Sequence, residues 1–237
     1  MGRQETAVNQ LTLVPANSTI TPLGAVLSDQ FKLIFPTSLM VRHVEGMEAV
    51  NPALAELLRE LEAADANRAK GTATKGGFQT ADTLLSTHAR ANDPALVALK
   101  QHIASAVQSY AGVLIAQECS RQPAQVTYES WGWGVILRSG NWQGHHVHPD
   151  AHISGVYYIS APPAALAEDQ DAGKISFYDP RPRANMAQLY AQVTRYWEAP
   201  RPGDMLLFPS WLEHSVAPFE GEGERICVAF NVRLLMR

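Results

Sequence analysis

Residues 142–160 read WQGHHVHPDAHISGVYYIS. Four of the chain's eight histidines (His145, His146, His148 and His152) fall in this stretch, and an apolar, β-prone run follows from Ile153 to Ser160. In a strand, residues two apart face the same way, so His146, His148 and Asp150 project together for as far as the strand continues. A metal wants that geometry: two ligands fixed by one rigid element and a third brought from elsewhere. His214, which follows the strand-like GDMLLFP and the turn SWLE, can fold back to supply the third. The residues leave two sets open, His146, His148 and His214, or His148, Asp150 and His214. The His-x-His set is favoured if Pro149 ends the regular strand. His145 would then point to the opposite face.

Outward from this stretch the pattern is β throughout. Val126–Leu137 places Trp131, Trp133, Val135 and Leu137 on one face at period two, which reads as barrel core. Lys174–Tyr178, Asp204–Phe208 and Arg225–Leu234 are further strands. The turn-forming stretches RSGNWQG, PPAALAEDQDAG, PRPG and PFEGEGE separate them. The first half differs. Leu54, Leu57, Leu58 and Leu61 recur at helical spacing between Pro52 and Ala64. Asp93-Pro94 starts a second helix, Pro94–Gln117, with Leu96, Leu99, Ile103, Val107 and Tyr110 on one stripe. Gln30–Val41, interrupted by Pro36, predicts an edge strand or two short strands, and residues 65–93 read as a long polar connection with one helical turn around Thr83–Ser86. Helices followed by a run of short strands predict an α+β, mainly β fold. It is a jelly roll with helices packed on its outside. One domain, 1–237, is expected, with 1–124 supplying early strands and supporting helices and 125–237 the catalytic core.

The last strand carries the second chemical signal. Arg225, Cys227, Ala229 and Asn231 alternate with Ile226, Val228, Phe230 and Val232. If the apolar set packs against the helices, the other face presents one guanidinium above small residues. That makes a natural carboxylate pocket, because Arg offers a planar fork for bidentate pairing. Arg225 also lies eleven residues beyond His214, room for a turn and a return into the barrel. A metal and an Arg set apart in one pocket suit a ligand that chelates at one end and carries a carboxylate at the other, and 2-oxoglutarate has that shape.

Composition bounds the rest. With 19 Lys and Arg against 23 Asp and Glu, the net charge is −4 and no long basic run occurs, which argues against a nucleic-acid face. Two cysteines, Cys119 and Cys227, point to a reducing compartment. No apolar run approaches the roughly 20 residues of a membrane span. A cytoplasmic protein without membrane partners is expected, acting on a small molecule or peptide; a homodimer is compatible with this reading.

From Trp131 onward the chain resembles the 2-oxoglutarate/Fe(II)-dependent oxygenases of bacterial and phage type. The segments that carry the likeness are GHHVHP, SGVYYI, ISFYDPR, RPGDMLLFPSWLEHSVAPF and RICVAFNV, in order, with FPT near residue 36. The resemblance implies a double-stranded β-helix holding Fe(II), with His214 as the distal ligand. It implies Arg225 on the far carboxylate of 2-oxoglutarate, Tyr158 hydrogen-bonded to the same carboxylate, and Cys227 where the family usually shows Ser. The activity implied is a dioxygenase that hydroxylates its substrate and releases succinate and CO2. Two other readings stand beside it: a cupin-type three-His dioxygenase that uses no 2-oxoglutarate, and a non-enzymatic jelly-roll binding module.

Overall fold

The computed structural model of the chain describes residues 9–11, 35–65, 73–121, 123–167, 171–184, 186 and 193–237. Its first half runs β1 (Asn9–Leu11), β2 (Met40–His43), α1 (Asn51–Ala64), β3 (Thr74–Lys75), β4 (Phe78–Gln79) and α2 (Pro94–Glu118). The second half runs β5 (Val126–Leu137), β6 (Trp142–His146), β7 (Ile153–Ser160), α3 (Pro163–Leu166), β8 (Ile175–Tyr178), β9 (Arg195–Glu198), β10 (Asp204–Pro209), β11 (His214–Val216) and β12 (Arg225–Met236).

Two antiparallel sheets face each other. One has the order β1-β5-β12-β7-β10-β2, with β4 also on β5; the other has the order β3-β6-β11-β8-β9. Most sequential strands cross from one sheet to the other, so neighbours in each sheet are distant in sequence. This interleaving is the double-stranded β-helix, and the expected mainly β fold with helices outside it is what the chain adopts.

The period-two alternation of β12 becomes a division between two cores. Ile226, Val228, Phe230 and Val232 belong to the cluster between the larger sheet and the helices, with Leu54, Leu58, Leu96, Leu99 and Ile103. Cys227 belongs to the cluster between the sheets, with Val135, Leu137, Tyr158, Phe177 and Phe208. The α2 start is as expected: Asp93 accepts from the Ala95 N–H at 3.0 Å and Pro94 needs no donor. α1 can sit close on the sheet because β5 carries Gly134, where a Cβ would overlap the Leu58 side chain.

The reading of residues 65–93 as a connection needs correction. Lys75-Gly76-Gly77-Phe78 is a tight turn with both glycines at positive φ, 71° and 69°. Its two arms belong to different sheets: Thr74 pairs with Gln143 on β6, whereas Phe78 and Gln79 pair with Ile136 and Val135 on β5. The hairpin therefore bridges the barrel on its β5–β6 side. No hydrophobic period announced it, because each arm is two residues long. Of the edge strand expected over Gln30–Val41, Met40–Val41 lies in β2, which extends to His43, and residues 30–34 lie outside the described set.

Candidate metal centre

β6 and β11 are paired, with His146 directly opposite His214. Opposed residues of an antiparallel pair share a face, and here that face is the barrel interior. His148 lies just past the end of β6. Its N–H donates to the Ser210 carbonyl at 2.9 Å, and Ser210 in turn donates to the His152 carbonyl at 3.1 Å. These bonds hold the turn so that the rings of His146 and His148 stack at 5.1 Å. One ligand nitrogen from each of His146, His148 and His214 lies within 4.8 Å of the other two.

The orientation of the three rings is set by what their other nitrogens do. Nδ1 of His146 donates to the Gly144 carbonyl at 2.7 Å, Nδ1 of His214 to the Leu212 carbonyl at 2.8 Å, and Nδ1 of His148 to Asn231 Oδ1 at 2.7 Å. A carbonyl oxygen can only accept, so each Nδ1 carries the proton and each Nε2 keeps its lone pair free. Burial first, and then repulsion from neighbouring histidines, pushes all three imidazoles toward the neutral form, with His148 down to about 4. Three neutral, lone-pair-bearing imidazoles converging on one point form a donor set for a borderline transition metal.

Asp150 does not join them. β6 ends at His146, Pro149 intervenes, and Asp150 turns into the left-handed region at φ 66°, exposed to solvent. Its carbonyl accepts from Arg233 Nε at 2.9 Å. His145, as expected, faces away, stacked on Tyr178 at 4.3 Å.

At the other end of the barrel Arg225 is 1% exposed. Its Nε donates to the Gly173 carbonyl at 3.0 Å, and its other nitrogens reach Cys227 Sγ and the Tyr158 hydroxyl, each at 3.5 Å. Among the described residues no carboxylate pairs with it, an arrangement that leaves a buried positive charge uncompensated. The fully buried Tyr158 lies across the strand pair from Cys227. Burial raises both its hydroxyl and the Cys227 thiol, so both stay protonated. A cation, a phenol and a thiol at the closed end of an apolar barrel can accept one carboxylate.

Several residues of the site escaped the sequence reading. Asn231 was visible only as an inward position of β12; its oxygen also accepts from Ser154 Oγ at 2.8 Å. Trp133, read as core, lies 5.5 Å from the His148 ring. It lines a cavity of about 180 Å³ together with His146, His148, Asn231, Gln79 and Gln143.

A family model described as "Putative 2OG-Fe(II) oxygenase" matches residues 131–231. No curated protein sequence matches the chain. Among solved structures, a prolyl-4-hydroxylase of Pseudomonas putida is 18% identical, with 83% of this chain and 92% of that one covered and a TM-score of 0.52. HygX of Streptomyces hygroscopicus, with nickel and 2-oxoglutarate bound, is 16% identical over 83% and 82% of the two chains, at a TM-score of 0.50. A Trichoplax adhaerens prolyl hydroxylase, in complex with a hypoxia-inducible-factor peptide fragment, is 14% identical over 82% and 83%, at 0.52. At these identities the likeness establishes the double-stranded β-helix fold.

Proposed function

We propose that this chain, whose residues 131–231 match the model of the 2-oxoglutarate/Fe(II)-dependent oxygenases, holds Fe(II) on His146, His148 and His214 and the far carboxylate of 2-oxoglutarate on Arg225. The observation that carries the assignment is the buried Arg225, paired with no carboxylate among the described residues and facing the same barrel interior as three converging imidazoles. Bound there, Fe(II) with 2-oxoglutarate would supply the oxidising chemistry, with dioxygen as co-reactant giving one oxygen atom to succinate as CO2 leaves and the other to the hydroxylated substrate.

The chain's own residues bind and orient. The carbonyls of Gly144 and Leu212 and the side chain of Asn231 fix the three tautomers. The Arg225 fork pairs with the carboxylate, and Tyr158, kept protonated by burial, donates to it. Val156, Phe208 and Leu212 exclude water from the space between. The three-His set also suits a cupin-type dioxygenase without 2-oxoglutarate, but that reading leaves Arg225 without a partner. The test is anaerobic addition of Fe(II) and then 2-oxoglutarate, followed by visible spectroscopy. A weak metal-to-ligand band that needs both additions supports the assignment, and its absence with iron bound sinks it.

Asn231→Leu removes the acceptor of the His148 Nδ1–H and releases that ring to its other tautomer. Orienting partners of metal-bound histidines typically contribute 10–100-fold in metal affinity. Mn(II) binding followed by electron paramagnetic resonance should weaken by about that factor. Asn231→Asp, which keeps the acceptor, should recover most of it. Unchanged Mn(II) affinity in Asn231→Leu would show that the contact does not orient the ligand.

A further inference from the structure

The 180 Å³ cavity beside the two β6 histidines contains a second constellation, built by the hairpin and a bulge. The pairing of β11 with β6 slips between His214↔His146 and Val216↔Gln143, so two residues on β6, Gly144 and His145, oppose one on β11, Ser215. The extra residue brings Gln143 onto the inner face, opposite the core residue Val216, where strict alternation would have sent it outward. Thr74 pairs with Gln143, and Gln79 pairs with the inward Val135, so the hairpin turns both side chains into the same space.

Thr74 joins the two amides. Gln143 Nε2 donates to Thr74 Oγ1 at 3.0 Å, and Thr74 Oγ1 donates to Gln79 Oε1 at 2.6 Å. These two bonds leave the Gln79 amide nitrogen and the Gln143 carbonyl oxygen without a partner among the described residues. The chain of bonds thus ends in one donor and one acceptor. Trp133 supplies a flat wall, and the remaining lining of Ala73, Val147, Pro149 and Asn231 carries no charge. At roughly 30 Å³ per water the space is about six waters in size.

We propose that this cavity is where the substrate's reacting portion sits, and that it recognises a neutral carboxamide of about one amino-acid residue in size. A carboxamide presents an acceptor and a donor side by side, the complement of Gln79 Nε2 and Gln143 Oε1. A carboxylate, which has no donor, would set an acceptor against the Gln143 carbonyl and leave that oxygen unpaired. The flat apolar body of the residue packs on Trp133, and the cavity's shared wall with His146 and His148 places its carbons beside the metal position. The inference rests on the function proposed above, and the two are separable by experiment.

The test uses protein loaded with Mn(II) and 2-oxoglutarate, with N-acetylglycinamide and N-acetylglycine as probes. Binding beside the metal is read from paramagnetic broadening of the probe's proton signals. The amide should be broadened and the acid should not. Gln79→Glu keeps the side-chain shape but replaces the free donor with an acceptor, and it should weaken amide broadening about tenfold, as should Trp133→Ala. Mn(II) and 2-oxoglutarate binding is measured on each variant first, and broadening is compared at equal occupancy of both. Equal broadening by amide and acid, or amide broadening unaffected by Gln79→Glu, overturns the carboxamide assignment. If Mn(II) or 2-oxoglutarate fails to bind wild type, the underlying function fails instead.

Discussion

Arg225→Ala is expected to weaken 2-oxoglutarate binding by roughly two to three decades while leaving metal binding nearly unchanged. The guanidinium is buried, and among the described residues a backbone carbonyl, a thiol and a phenol are what it reaches. Removing one partner of a buried, hydrogen-bonded charge pair costs about 3–5 kcal/mol, because the surviving charge is left desolvated. Each 1.4 kcal/mol is a factor of ten. Arg225→Lys should recover only part of the affinity, since a point charge does not reproduce the fork. Tyr158→Phe should cost less, about 1–2 kcal/mol for one hydrogen bond to a charged group. Calorimetric titration of 2-oxoglutarate into Mn(II)-loaded protein measures all three. Equal affinity in wild type and Arg225→Ala would remove the central argument for this cosubstrate and bring the three-His dioxygenase forward.

The largest loss of metal is expected from His214→Ala. It deletes one of three nitrogens in a set to which no carboxylate of the described residues contributes, so the remaining pair should not retain Fe(II) through gel filtration. Metal that binds only the folded state raises the midpoint of unfolding, and that rise should vanish in the variant. The apo midpoint serves as the control for folding, because His214 packs against Phe208 at 4.8 Å and its truncation leaves a small void. Asp150→Ala, at an exposed turn, should keep its metal. Stoichiometric iron in His214→Ala, or its loss in Asp150→Ala alone, would overturn the three-His assignment.

Much of the fold and of the site could be read from local pattern, because local physics produces it. The 3.6-residue recurrence of leucines made α1 and α2 legible, and the Asp93-Pro94 start of α2 held to the residue. The alternation of Arg225 to Val232 separates the barrel interior from the helix-facing core, since a strand has two faces whatever it pairs with. His146, His148, His214 and Arg225 stood out for the same reason: few residue types bind metals or carboxylates, and their spacing on strands is regular.

Tertiary structure decided what depends on pairing between distant segments. Whether the turn after His148 carries Asp150 toward or away from the histidines rests on the bonds of residues 148, 152 and 210 and on the left-handed backbone at 150. The inward face of Gln143 exists only because β11 slips by one residue against β6, and a bulge has no hydrophobic period of its own. Thr74 and Gln79 lay in a stretch too short and polar to register as strands, and Gln79 lines the cavity beside His146 and His148 only because Gly76 and Gly77 turn the chain between two sheets. Asn231 was visibly inward, but its role as the acceptor for His148 depends on β12 and the end of β6 meeting across the barrel. Sequence by itself determined which residues could carry the chemistry, because side-chain identity and strand period are local. The contacts that orient them join segments as far apart as 83 residues, in the case of His148 and Asn231, and such pairings form only when the whole barrel closes.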